Sequence, residues 1–285
     1  MIKERIMIII SMLLFGSLGL FITNTSLLSS EITLFRGLIG GFFVLIYSRL
    51  FSKHKSITTN KEKLISVLVG VLIGINWVLL FEGYKLLNVS TATILYYMAP
   101  IVLIFYGVFL FKEKISFFQV FAVFLAFFGL VLVVDNISLS DQKTLGILMA
   151  LSAAIIYASV MSINKHLKKI DVFERVWIQL LSAGISIIPY VLLQNNGNFD
   201  YRLNDWIIAV VLGVFHTGVA YSLFYTALNK LSHSSVAILS YIDPVSALFF
   251  ATVFLQEQLN ALQWGGALLI LIAIFLSENK KIAKK

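Results

Sequence analysis

Apolar side chains occur in long continuous runs along this chain, such as IMIIISMLLF, IVLIFYGVFLF and ALLILIAIFL. A helix needs about 20 mostly apolar residues to cross the hydrocarbon core of a bilayer. Alternating segments of about ten residues would instead predict an outer-membrane β-barrel. Ten segments fit the helical length: residues 6–23, 32–51, 64–86, 90–111, 116–134, 144–164, 174–193, 205–228, 234–255 and 260–277. The pattern predicts an all-α integral membrane protein with ten transmembrane helices.

Composition supports this prediction and excludes several protein classes. Of the 285 residues, 59% are apolar and 13% are charged, whereas soluble domains carry about 25% charged residues. So few charges cannot cover a water-facing surface. The absence of cysteine excludes disulfides, thiolate metal sites and cysteine nucleophiles. Soluble enzymes and secreted disulfide scaffolds are therefore excluded.

The net charge of +8 reflects the orientation of the chain. Most of the 22 Lys and Arg residues fall at the termini or in loops on one side of the predicted spans, and only Lys85, Lys143 and Arg202 fall on the other. Cytoplasmic loops carry the excess of Lys and Arg. Both termini are therefore predicted to be cytoplasmic, in a multi-pass protein of the cell membrane, here a bacterial inner membrane. A nucleic-acid partner is not expected.

The two halves of the chain repeat each other at an offset of 144 residues. Residues 90–132 align without a gap to 234–276, and the alignment pairs Tyr97 with Tyr241 and Pro100 with Pro244. The match predicts two five-helix repeats, residues 1–136 and 137–285. Because five is odd, the second repeat enters the membrane with inverted polarity. In agreement, the K-E-K turn at 112–114 becomes Q-E-Q at 256–258.

Simple structural roles explain the features that the two turns share, and also two pairs of glycines. Ser116-x-x-Gln119 and Asn260-x-x-Gln263 fit capping boxes, which would place Glu113 and Glu257 just before a helix N-terminus. Gating or coupling is the alternative role for the two glutamates. Gly37-x3-Gly41 and Gly70-x3-Gly74 predict close helix contacts.

The segments LLFEGYKLLNVSTATILYYMAPI (79–101) and AILSYIDPVSALFFATVFLQEQL (237–259), with the K-E-K turn, resemble the EamA branch of the drug/metabolite transporter superfamily. The resemblance extends over the whole chain in helix count and repeat order. It implies ten helices in two inverted repeats, with spans 1, 3, 4, 6, 8 and 9 around a central cavity. It also implies transport of amino acids, amines or other small metabolites, often outward. The second span begins SSEITLFRG, where many relatives have a preceding proline.

Ionisable residues inside spans are costly and mark candidate sites. Arg36 could bind an anionic group, or could pair with Glu31 or extend toward the interface. Glu82 could bind an amine or a proton, or be neutralised by Lys85. Asp243 precedes Pro244 in span 9 and could bind substrate or a coupling proton, or could cap a freed N–H.

The prolines at matching positions of the two repeats, Pro100 and Pro244, are predicted helix kinks, which point to the binding site of a transporter. Amide, aromatic and histidine side chains complete the predicted site or serve helix packing instead: Asn76, Trp77, Tyr96, Tyr97, Tyr157, Gln179, His216, Tyr221, Tyr225 and Tyr241. His216 could sense pH or bond to another helix.

The sequence therefore predicts a secondary transporter or facilitator, an exporter of a small metabolite by alternating access, with a proton as candidate coupling ion. No Walker A or metal-ligand motif occurs, so no cofactor and no metal site are expected. A monomer or weak dimer in the lipid bilayer is expected. Two alternatives remain: a membrane acyltransferase using His166 and Asp171, and a channel-like pore.

Overall fold

A computed structural model describes residues 2–51, 58–99, 101–102, 105–106, 117–133, 142–164, 167, 169–195, 200–228, 230, 239 and 242–278. These residues form helices joined by short connections, and no strand occurs among them. The helices are α1 (Ile2–Gly16), α2 (Leu18–Thr23), α3 (Ser29–Phe51), α4 (Asn60–Leu86), α5 (Val89–Tyr96), α6 (Phe117–Val133), α7 (Gln142–Asn164), α8 (Val172–Asn195), α9 (Leu203–Gly213), a π-helical segment (Val214–Val219), α10 (Ala220–Leu228), α11 (Ile242–Phe254) and α12 (Ala261–Glu278).

Six helical stretches of the described chain are long and apolar enough to cross a membrane. They are Ile2–Thr23, Ser29–Phe51, Asn60–Leu86, Gln142–Asn164, Val172–Gln194 and Leu203–Ala227. They correspond to predicted spans 1, 2, 3, 6, 7 and 8. Predicted spans 4 and 9 include residues outside the described ranges, as do the turn at 112–114, Ser116 and part of the loop that carries His166.

The distribution of side chains suits a lipid surround. Large apolar residues such as Phe42, Ile46 and Leu148 are exposed on the outside of the bundle, whereas Arg36 and Gln179 are almost fully buried. This is the arrangement that a bilayer favours, because polar side chains are expensive when they face hydrocarbon.

Helix α8 lies between α3 and α4, and glycines make the contact close. A Cβ added at Gly37 would lie 2.5 Å from the backbone nitrogen of Gly184, and one at Gly70 would lie 2.4 Å from the carbonyl oxygen of Gln179. Gly41 and Gly74 also face α8 at short distances. The two small-residue spacings thus predicted close helix contacts correctly, and both pairs contact the same helix.

The remaining helices pack in a regular set of pairs. Helix α1 contacts α10 and α11, and α7 contacts α4 and α5. Helix α3 packs against α8, as well as α9 and the π-helical segment, and α6 packs against α12. Helices α1, α4, α7 and α10 all contribute residues to the lining of an internal cavity.

Candidate functional site

Two adjoining cavities follow one face of α4. Residues of that face recur every three or four positions, which is the helical period, and line one cavity or the other: Ile73, Asn76, Trp77, Leu80, Phe81 and Tyr84. The first, the Arg36 cavity, holds about 540 Å³ of space outside the protein atoms. The second, the Asn164 cavity, holds about 600 Å³. Both volumes include the open solvent at the mouth of the cavity.

The Arg36 cavity contains most of the predicted site residues. Its lining consists of Phe15, Leu18, Arg36, Trp77, Leu80, Phe81, Tyr84, Thr93, Tyr96, Tyr97, Tyr157, Tyr221, Asp243 and Ala247. Predicted spans 1, 3, 4, 6, 8 and 9 all contribute, as the family resemblance implies, and span 2 adds Arg36. The cavity is therefore an aromatic chamber with one guanidinium and one carboxyl group.

Arg36 is buried without a carboxylate partner among the described residues. Its side chain is 1% exposed, its Nε donates to the Thr217 hydroxyl at 2.9 Å, and its Nη1 has no hydrogen-bond partner. The guanidinium carbon lies 4.2 Å from the ring centroid of Trp77 and 5.2 Å from that of Phe81. Cation–π attraction contributes roughly 0.5–2 kcal/mol. It does not neutralise the positive charge, so the guanidinium can still bind an anion.

Glu31, the alternative partner of Arg36, has a separate role at the start of α3. Its carboxylate accepts hydrogen bonds from the backbone N–H of Leu28 at 2.7 Å and from the hydroxyl of Tyr201 at 2.5 Å. A carboxylate is favourable at this place because it faces the positive end of the helix dipole. Arg36 is thus held by Thr217 and the aromatic rings.

Asp243 lies in the first turn of α11, and its side chain lines the same cavity as that of Tyr97. Helix α5 ends at Tyr96, and the backbone turns at Tyr97 and Met98 just before residue 100. Helix α11 begins at Ile242, just before residue 244. The structure thus brings together a helix end from one half and a helix start from the other, each next to a predicted kink.

Aromatic side chains separate the two cavities. Phe15, Tyr157 and Tyr221 line both of them, and the ring of Phe15 meets that of Tyr221 edge to face with centroids 5.2 Å apart. Tyr96 stacks on Tyr157 at 5.1 Å. The amide of Asn76 donates to the Ala153 carbonyl at 2.5 Å and accepts from the Tyr96 hydroxyl at 3.2 Å. This boundary is a layer of side chains, which can rotate without unfolding a helix.

The Asn164 cavity is more apolar, with Ile73, Val160, Met161 and Phe224 in its lining as well as Asn76, Asn164 and Tyr225. A buried polar cluster adjoins it. Arg175 donates to the carbonyls of Asn164 and Leu167 at 3.2 and 3.0 Å, and its guanidinium lies 4.9 Å from the ring centroid of Tyr225. Gln179 donates to the Asn164 side chain at 2.8 Å. Arg175 therefore stabilises the C-terminal end of α7, where a cation is favourable.

Several predicted residues lie elsewhere. Glu82 and His216 line neither cavity. His216 bonds to another helix, with its Nε2 3.0 Å from the hydroxyl of Ser17. Tyr241, Pro100 and His166 lie outside the described residues, as does the side chain of Pro244. Asp171 caps α8, because its Oδ1 accepts the backbone N–H groups of Phe173 and Glu174 at 2.9 and 3.2 Å.

Contacts at the two ends of the bundle tie helices of different halves together. At one end, Asp205 accepts from the hydroxyls of Thr25 and Ser26, both at 2.7 Å. Glu257 there accepts the backbone N–H of Val89, at the start of α5, at 3.0 Å. The predicted capping box at Asn260 and Gln263 is present, yet Glu257 caps a helix of the other half. At the opposite end, Lys63 and Glu174 form an ion pair at 3.2 Å.

Part of the cavity lining, including Phe15, Thr93 and Asn164, was not predicted from the sequence, and neither was the contact of Thr217 with Arg36. Leu80, Phe81 and Tyr84 continue the face that begins at Asn76 and Trp77, so the helical period could have identified them. Thr217 carries no such signal.

Comparison with known proteins gives consistent results. The sequence model of the EamA-like transporter family matches residues 3–135 and again residues 144–278. The chain is 28% identical over 284 residues to the uncharacterized transporter YxxF of Bacillus subtilis, covering 98% of this chain and 90% of that protein. It is 29% identical over 182 residues to a probable amino-acid metabolite efflux pump of Escherichia coli, covering 60% of this chain and 61% of that protein.

A human relative and a solved structure extend the likeness. The chain is 22% identical over 253 residues to solute carrier family 35 member G1 of Homo sapiens, covering 84% of this chain and 68% of that protein. One solved crystal structure matches with a TM-score of 0.72 at 17% identity, covering 99% of this chain and 98% of the solved chain. The structural match concerns the fold alone.

Proposed function

Because the chain belongs to the EamA-like transporter family, we propose that it is a ten-helix secondary transporter or facilitator that exports a small metabolite from the cell. The cargo is an amino acid, an amine or a related compound. The name of the Escherichia coli relative supports both the cargo class and the outward direction.

An inverted two-repeat architecture is supported by the helix pairs. Exchange of the two halves converts span 1 into span 6, span 3 into span 8 and span 4 into span 9. The contacts of α1 with α10 and α11 then become the contacts of α7 with α4 and α5, and both sets are present. The two matches of the family model over successive halves agree with this exchange.

The positions of the Arg36 cavity and the Asn164 cavity along α4 support alternating access. With the termini in the cytoplasm, as the distribution of Lys and Arg predicts, α4 runs outward and the Arg36 cavity lies in its outer half. The Asn164 cavity then lies on the cytoplasmic side. A carrier of this type exposes a central site to one side at a time as two parts of the bundle move. The contacts of Asp205 and Glu257 would close the outer end, and the Lys63–Glu174 pair would lie at the cytoplasmic end.

One observation carries the proposal: Arg36 and Asp243 line the same cavity, and the described residues include no ion pair between them. Unpaired opposite charges are expensive in a membrane interior. An amphoteric cargo would compensate both of them, and the rings of Trp77, Tyr157 and Tyr221 would contact its apolar part.

Asp243 is the candidate for proton coupling. A carboxyl group inside the cavity could take up a proton on one side of the membrane and release it on the other, in exchange for cargo. The hydroxyl group of Tyr97 lines the same cavity and is a neighbouring polar group. A passive facilitator would need no such step.

Transport can be tested with purified protein in liposomes, using labelled L-leucine, L-phenylalanine, L-threonine and a panel of amines, with and without a pH gradient. We expect saturable, protein-dependent flux of at least one compound and no flux in protein-free liposomes. The absence of flux for every compound would contradict the proposal. Non-saturable flux of many unrelated solutes would favour a pore.

A further inference from the structure

Among the described residues, the guanidinium of Arg36 is fixed in orientation by uncharged neighbours. Its plane is covered by Trp77, with Phe81 further away. Its Nε is engaged by Thr217, and its Nη1 has no partner. Trp77 therefore covers one face of the guanidinium, and Thr217 accepts the hydrogen bond of its Nε. The N–H groups of Nη1 remain without a partner, and Arg36 lines the cavity.

The donor and acceptor roles of the Thr217 hydroxyl explain how it holds Arg36. A hydroxyl has one proton, and that of Thr217 is donated to the Leu212 carbonyl at 2.8 Å. The oxygen can therefore only accept from Arg36, which suits a cation. Thr217 is fully buried, so water does not compete for either bond.

The π-helical segment places this hydroxyl. The hydroxyl of Thr217 reaches the carbonyl group five positions earlier, which lies one π-helical turn before it. Helix α3 comes close at the same point, because Gly40 has no side chain: a Cβ there would lie 2.9 Å from the Cγ2 of Thr217 and 2.8 Å from the Gly213 carbonyl oxygen. Arg36 precedes Gly40 by four residues, so both are on the face of α3 that meets Thr217.

We propose that Arg36 is the binding site for a carboxylate of the cargo and that Thr217 is the positioning residue that aims it. This inference rests on the transport function proposed above. Two parallel N–H···O bonds to a carboxylate require that the plane of the guanidinium and the edge that carries its free N–H groups are fixed. Trp77 fixes the plane, and Thr217 fixes the edge by holding Nε. A cargo with a carboxylate is therefore selected over the same molecule without it.

The test compares two variants of Thr217 with a matched control. Thr217→Val removes the acceptor at nearly constant volume, and Thr217→Ser keeps it. Thr226→Val is the control, because the Thr226 hydroxyl bonds to the Ser222 carbonyl at 2.6 Å and lines neither cavity. The probes are labelled L-leucine and L-phenylalanine, with isoamylamine and phenethylamine as competitors that lack the carboxylate. Thermal unfolding with each probe gives a binding readout that does not need transport.

We expect Thr217→Val to raise the KM for the amino acids about tenfold, since a hydrogen bond to a charged group is lost, with a much smaller change in kcat. The inhibition constants of the two amines should stay the same, and Thr217→Ser and Thr226→Val should resemble the wild type. Equal weakening for amines and amino acids would overturn the proposal. So would a Thr217→Ser variant as impaired as Thr217→Val, or a wild type that binds the amines and neither amino acid.

The outcomes also separate this inference from the transport function. If no compound is transported but an amino acid raises the unfolding temperature of the wild type and not of Thr217→Val, the carboxylate site stands and the transport proposal fails. If flux is present for the amines alone, transport stands and the carboxylate site fails. If there is neither flux nor thermal stabilisation, both fail.

Discussion

The substitution Gly37→Ala tests the contact on which the position of Arg36 depends. The added Cβ would lie 2.5 Å from the nitrogen and 2.6 Å from the Cα of Gly184, and 2.8 Å from the carbonyl oxygen of Leu180. Carbon atoms are at optimal separation at about 3.5–4.0 Å. These neighbours are backbone atoms, so no side-chain rotation relieves the overlap, and α3 and α8 must separate by roughly 1 Å.

The expected cost follows from two opposing effects. Overpacking costs about 1–3 kcal/mol, whereas replacement of glycine by alanine inside a helix gains up to about 1 kcal/mol. We therefore expect a net loss of roughly 1–2 kcal/mol. Transport should fall as well, because Gly37 follows Arg36 and the guanidinium would move away from Thr217.

The assay is thermal unfolding of the purified protein in detergent, followed by intrinsic tryptophan fluorescence. Gly265→Ala is the matched control, because a Cβ there would have no neighbour within 4 Å. Gly37→Ala should unfold several degrees below the wild type, and Gly265→Ala at or above it. A Gly37→Ala protein as stable as the wild type would refute the close approach of α3 and α8.

Three further substitutions test other parts of the structure. Asp205→Asn weakens its hydrogen bonds with Ser26 and Thr25, and should lower the free energy of unfolding by about 1–3 kcal/mol, measured by the same thermal assay. Glu257→Ala removes the cap on the backbone N–H of Val89, and should cost about 0.5–2 kcal/mol; an unchanged unfolding temperature would contradict this role. Asp243→Asn should abolish the effect of a pH gradient on flux in liposomes, and a gradient effect as large as in the wild type would exclude Asp243 as the coupling group.

Much of the fold follows from the sequence, because a bilayer imposes a helical length that apolar runs reveal directly. The glycine spacings on α3 and α4 likewise predicted close contacts. The partner helix could not be predicted, since a small-residue face specifies only that some helix approaches. The structure identifies α8 as the partner of both.

The lining of the candidate site follows in part from the sequence, for reasons that the helical period makes clear. Scarcity of charge singled out Arg36, Glu82 and Asp243. At 100° per residue, Glu82 lies about 140° around α4 from Trp77, which takes it off the cavity face. The small number of charged residues inside the spans identifies candidates, but the face of the helix on which each one lies decides whether it reaches the cavity.

Thr217 was missed because its role depends on a π-helical turn, and apolar periodicity does not indicate one. Glu257 was expected at the start of its own following helix, yet it caps α5, which lies far away in the sequence. Both contacts are non-local, and they depend on how the helices pack rather than on any spacing along the chain.

Access to the two cavities is the most direct test of the transport mechanism. Because the chain has no cysteine, Thr93→Cys in the Arg36 cavity and Val160→Cys in the Asn164 cavity each introduce the sole thiol. The measurement is the rate at which a membrane-impermeant maleimide reacts from each side of sealed vesicles, with and without cargo. The account predicts that Val160→Cys reacts from the cytoplasmic side only, whereas Thr93→Cys, which lines the cavity proposed to bind cargo, reacts from either side and more slowly when cargo is present. Reaction of Thr93→Cys from one side only, at a rate that cargo leaves unchanged, would contradict it.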